Sequence, residues 1–118
     1  MAVKDWKAFV AETDARMGAL REGMPDVAKA FGRLAGAATA DGALDPKTKE
    51  LIALAIGIAA RCDGCLAYHA RAAARNGATR AEVLETIGVA VYMGGGPSMI
   101  YGAEALAAYD GLSDGAGG

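Results

Sequence analysis

Histidine occurs once in this chain, cysteine twice, tryptophan once and proline three times, and aromatic residues make up only 6% of it. Charge of one sign is also missing. Twelve Lys and Arg face fourteen Asp and Glu, for a net charge of −2, and no basic run stands out. That balance argues against a surface that tracks nucleic-acid phosphates. Long apolar runs are absent too. The longest uncharged stretch, Thr86 to Ala103, is broken by Gly94-Gly95-Gly96-Pro97, whereas a membrane-spanning helix needs about 20 continuous apolar residues. The first residues, MAVKDWKAFVAETDAR, are charged and amphipathic and lack the apolar core of a signal peptide. The expected location is the cytoplasm. In that reducing setting a lone Cys-x-x-Cys pair reads as redox-active or metal-binding more readily than as a structural staple.

What remains is a small-residue chain. It has 118 residues, enough for one domain, with 53% hydrophobic residues. Alanine and glycine fill 29 and 17 of those positions. Such a composition lets helices approach closely but hides little area per residue. Part of the apolar surface is therefore expected to be covered by other subunits.

The pattern is helical throughout, without repeats or linkers. Trp6, Phe9, Val10, Met17 and Leu20 predict an amphipathic first helix over about residues 3–21. A second runs from Pro25 to Ala40 with Val27, Phe31 and Leu34. Asp45 as cap and Pro46 in the first turn start a third, through Lys47 to Ala60. Its second half, Leu51 to Ala60, carries no charge on any face, so it is either buried all round or covered by a partner. A fourth starts near Cys62 and stops at Asn76-Gly77. Thr79 and Glu82 have the spacing of a capping box for a fifth, ending near Met93. Pro97 opens a sixth, running to about Tyr109 and stopping at Gly111. Residues 87–93 alone would suit a strand, but Val83, Ile87 and Val91 keep helical spacing. Residues 1–112 read as one all-helical domain, and 113–118 as a disordered tail.

The chemistry lies around Cys62. Cys62 and Cys65 are three apart, and Cys65 and His69 four apart, so a helix puts all three on one face. The thiolate is the reactive form of cysteine, and a helix N-terminus favours an anion. Arg61 adds to that effect and Asp63 opposes it. A histidine within reach accepts the thiol proton and returns it, and a second cysteine resolves a sulfenic acid as a disulfide. Two alternatives stand beside this. The cysteines are small apolar residues on a buried face, or Cys62, Cys65, His69 and Glu50 are four zinc ligands. Glu50 lies twelve residues before Cys62, about 16 Å along a straight helix at roughly 1.5 Å per residue. Spacing alone does not bring it to the thiols.

The arrangement Glu50-x11-Cys62-x2-Cys65-x3-His69 resembles the active-site pattern of alkylhydroperoxidase D-like proteins in the carboxymuconolactone decarboxylase superfamily. The flanks agree: Lys49-Glu50-Leu51-Ile52-Ala53-Leu54-Ala55, Cys65-Leu66-Ala67-Tyr68-His69, and Asn76-Gly77-Ala78-Thr79-Arg80-Ala81-Glu82-Val83-Leu84-Glu85. Met93-Gly94-Gly95-Gly96-Pro97 is also similar, and the likeness spans about residues 44–107. The resemblance implies an all-α fold of about six helices, a single module assembling as a homo-oligomer, trimer or hexamer. It implies a peroxidase acting on alkyl hydroperoxides or hydrogen peroxide, with no cofactor and with re-reduction by an external dithiol. Cys65 would attack the peroxide, Cys62 would resolve, and His69 and Glu50 would relay protons. The helix-dipole argument favours Cys62 as attacker instead, so the assignment stays open. Gly64 stands where the best-known member has histidine, and the chain is shorter than two-repeat members. The alternative functions are a carboxymuconolactone decarboxylase-type lyase using His69, a branch that typically lacks the cysteine pair, and a non-enzymatic redox or zinc-binding module.

Overall fold

The computed structural model describes residues 4–113. Six helices follow one another: α1 (Trp6–Gly23), α2 (Pro25–Thr39), α3 (Pro46–Ala59), α4 (Asp63–Arg75), α5 (Arg80–Gly94) and α6 (Gly96–Leu112). No strand occurs among the described residues, and 87–93 lie in α5. The expected starts are made by the expected side chains. Asp45 accepts from the Thr48 N–H, with Pro46 in the first turn of α3. Thr79 and Glu82 form both bonds of the capping box that opens α5. At the end of α4, Gly77 takes a φ of 89°, a conformation suited to glycine.

Three boundaries differ from expectation. The first helix begins at Trp6, not residue 3, because Asp5 is its cap and accepts from the Ala8 N–H. Gly111 does not stop α6. Its φ stays outside the left-handed region, and Leu112 is buried one residue further on, so continuing the helix hides apolar surface. Ser113, expected to begin the tail, is buried and donates its N–H to Tyr109 O. The rest of that tail, 114–118, lies outside the described residues.

Helices α3 to α6 form the body, with α1 laid across α4 and α6. Leu54 and Ile58 of α3, Leu66 and Ala70 of α4, Val83 of α5 and Ala105 and Tyr109 of α6 are fully or almost fully buried. The abundant alanines on α4 and α6 bring those helices close. Tyr109 anchors the far end, its hydroxyl donating to Ala78 O at 2.7 Å. Trp6 packs edge-on against Phe9 and meets α6 at Gly111. Helix α2 stands apart: it touches only α1 and α3 and contains no buried residue. Phe31, on its apolar face, is 66% exposed. Ile56 of the charge-free half of α3, and Val89, Tyr92, Met93, Met99 and Ile100 around the α5–α6 turn, are exposed as well.

A candidate redox site where α3 meets α4

The turn between α3 and α4 has almost no slack. The Arg61 N–H bonds to Ile58 O at 3.1 Å and the Cys62 N–H to Gly57 O at 3.0 Å. This is the paired ending known as a Schellman motif, in which the residue after the cap takes left-handed backbone angles. Arg61 does so, at φ 57°, the only described non-glycine residue with positive φ. Glycine usually fills that place, at no steric cost. Cys62 is then both the last residue of that motif and the N-cap of α4, where its Sγ accepts from the Cys65 N–H at 3.2 Å. Cys62 and Cys65 are joined by a disulfide with Cα atoms 5.2 Å apart, within the range such a bridge needs. Gly57 makes room for it. A Cβ at position 57 would stand 2.9 Å from the Cys65 Cβ.

Glu50 and His69 meet across the same pair of helices, Nδ1 to Oε1 at 2.7 Å. The Glu50 side chain is only 12% exposed and that of His69 34%. The contacts Gly57–Cys65 and Glu50–His69 run in opposite directions along the two helices, so α4 returns antiparallel beside α3. That return closes the distance that a straight helix imposed on Glu50. His69 follows Cys65 by one turn on α4. The four expected residues thus form two pairs, a disulfide at the start of α4 and, one turn further along, a carboxylate–imidazole pair between α3 and α4. A carboxylate on Nδ1 fixes the imidazole's orientation and favours the proton on that nitrogen, leaving the other to exchange protons.

Asp63, between the cysteines, is not left as a bare charge. Lys4 Nζ lies 2.9 Å from its Oδ2 and 3.6 Å from Glu104 Oε2 of α6. The same ammonium sits over the rings of Trp6 and Phe9, 4.4 and 4.9 Å from their centroids. Arg61, expected to supply positive charge, is exposed at the turn. Next to His69, the Tyr68 hydroxyl hydrogen-bonds Asp14 of α1, and Arg71 packs over its ring. Burial first, and the Asp14 carboxylate second, hold the Tyr68 phenol above its ordinary pKa. Among the described residues no group of three or more His, Cys, Asp or Glu side chains is arranged to hold a metal ion. A cavity of about 470 Å³ lies elsewhere, in the apolar groove of Met17, Leu20, Met24, Val27 and Phe31 between α1 and α2.

Sequence reasoning missed Lys4, Gly57 and Arg61's backbone. Gly57 left a trace, as the single glycine in the apolar run 51–60. Lys4 left none, since it stands 59 positions from Asp63.

Residues 25–108 match the profile of the carboxymuconolactone decarboxylase family. The chain belongs to that family. The family match begins at α2, earlier than the expected start near residue 44. An uncharacterized protein from Cupriavidus necator is 38% identical over 109 residues, covering 92% of this chain and 96% of that one. A second, from the cox locus of Paracoccus denitrificans, is 36% identical over 99 residues, 84% of this chain and 89% of that protein. Among solved structures, an apo family member from Legionella pneumophila superposes with a TM-score of 0.88 at 47% identity, covering 92% of this chain and 96% of its own. A Thermotoga maritima member, suggested to be involved in the antioxidative response, superposes at 0.71 with 31% identity over 83% of this chain and 89% of its own. No helix among the described residues is long and apolar enough to cross a membrane.

Proposed function

We propose that this family member is a thiol-dependent peroxidase that reduces alkyl hydroperoxides or hydrogen peroxide through Cys62 and Cys65. The observation that carries the proposal is the disulfide at the start of α4 with the Glu50–His69 pair one turn beyond it. In the reduced enzyme one thiol gives its proton to the Glu50–His69 pair, and the thiolate attacks the terminal peroxide oxygen. The O–O bond breaks, that sulfur becomes a sulfenic acid, and the departing alkoxide takes the proton back as alcohol. The second thiol then attacks the sulfenic sulfur. An S–S bond forms, and the hydroxyl leaves with the second thiol's proton as water. Two electrons pass from the cysteine pair to the peroxide, and an external dithiol returns them.

Resemblance assigns the attack to Cys65, while the backbone N–H on Cys62 Sγ favours an anion at Cys62. Thiol counting before and after one equivalent of peroxide tests both points. Wild type should lose two thiols. Of Cys62→Ser and Cys65→Ser, the variant that keeps the attacking sulfur should lose one thiol, trapped as a sulfenic acid. Unchanged thiols in wild type would overturn the peroxidase, and lactone turnover that survives loss of both cysteines would put the lyase alternative in its place.

The exposed apolar faces of α2, α3 and the α5–α6 turn support a homo-oligomer in which other copies cover them.

A further inference from the structure

Asp63 poses a physical problem for a redox pair. A carboxylate directly after Cys62 disfavours any negative charge on either sulfur, and a thiolate is the form that reacts. One cation answers it, from a distant part of the chain. Lys4 reaches Asp63 at 2.9 Å, shares itself with Glu104 at 3.6 Å and rests on the Trp6 and Phe9 rings. The rings fix the ammonium from one side and the carboxylates from the other. Trp6 is itself buried against α6, so the cation is held by the fold rather than by a freely moving side chain.

We propose that Lys4 is a positioning residue of the redox site: its ammonium holds Asp63 and offsets that carboxylate's charge, so that the reduced Cys62–Cys65 pair accommodates a thiolate. This deepens the redox role given to the pair and rests on that role. Burial pulls the Lys4 ammonium down, but the hydrogen bond and charge of Asp63, with Glu104 behind them, leave it above its ordinary pKa. It therefore stays charged wherever the cysteines react. Arg61 is the other nearby cation, but it is exposed at the turn and no ion pair with Asp63 is formed.

The test is the equilibrium between the Cys62–Cys65 disulfide and glutathione at fixed neutral pH. In it two glutathione thiols reduce the protein disulfide and leave as oxidised glutathione. Lys4→Met keeps the apolar stem on the rings and removes the charge, leaving Asp63 unopposed. The disulfide should become about threefold to tenfold harder to reduce, as expected for one unit charge acting through a partly solvated path. Asp63→Asn should shift the constant the opposite way. The double variant should return to within about twofold of wild type, and Lys4→Arg should match it. High salt should shrink the single-variant shifts. A merely structural clamp predicts otherwise, with the double variant shifted as far as Lys4→Met. That result, or an unshifted Lys4→Met, would overturn the proposal. Asp63→Asn keeps the proposal testable should Lys4→Met fold poorly. No peroxide enters this measurement, so failure of the peroxidase proposal in thiol counting and failure of this one are separate outcomes.

Discussion

Glu50 and His69 illustrate what a single hydrogen bond contributes at this site. The carboxylate is nearly buried, faces a half-buried imidazole at 2.7 Å and has its partner on another helix. Glu50→Gln preserves size and a hydrogen bond but replaces the carboxylate that faces the imidazole Nδ1 with an amide that cannot take part in proton transfer. The expected outcome is a fall of about a hundredfold in the rate of thiol oxidation by peroxide, the scale of lost general acid–base assistance. Stopped-flow measurement of thiol loss would check it, with a little-changed rate arguing that His69 works alone or not at all. Residues of this kind were only partly legible. Cys62, Cys65 and His69 could be grouped because their spacing is local to one helix. Glu50 could be attached to them by resemblance but not by spacing, since its contact with His69 depends on α4 folding back along α3. Lys4 was out of reach, because its contact with Asp63 depends on how α1 crosses α4.

At the scale of elements, the α3–α4 corner is the decisive piece. Its start signals were readable: Asp45 and Pro46 for α3, and the Thr79–Glu82 box for α5, act locally and form as expected. The ending of α3 was less readable, because Arg61 occupies a place where glycine is the usual sign. Its left-handed backbone is maintained by the two Schellman hydrogen bonds. Gly111 misled in the opposite sense, since a buried Leu112 outweighed the helix-stopping habit of glycine. The close packing of this corner makes a firm forecast. Gly57→Ala would place a methyl group 2.9 Å from the Cys65 Cβ, a contact that neither helix backbone relieves without moving. Overpacking of this kind costs about 1–3 kcal/mol. Chemical denaturation of the oxidised variant should show that loss, and an unchanged midpoint would mean that α3 and α4 separate more readily than their packing suggests.

For the whole molecule, the composition forecast the outcome in kind. A chain rich in alanine and glycine packs α3 to α6 tightly yet leaves large side chains outside. Helix α2 has an apolar face, and none of its residues is buried by the rest of the described chain. Phe31 is the side chain on that face where a charge should matter most. If other copies cover this face, as proposed, Phe31→Glu is expected to give smaller species than wild type in light scattering while the cysteine chemistry within each chain persists at its intrinsic level. A wild-type monomer at micromolar concentration would remove the basis for that expectation. Single-sequence reading marked the charge-free half of α3 as surface to be covered but not the face of α2, because period and composition describe one helix at a time and do not say which helix its own chain leaves uncovered.

The corner at Cys62 also bears on how repeated catalytic cycles would be tolerated. The two bonds that shape it, from Arg61 to Ile58 and from Cys62 to Gly57, join main-chain atoms only. Neither passes through sulfur. Under the proposed chemistry, making and breaking the bridge to Cys65 would therefore involve neither hinge bond, and the machinery would be wound and unwound electronically without any need to refold between turnovers.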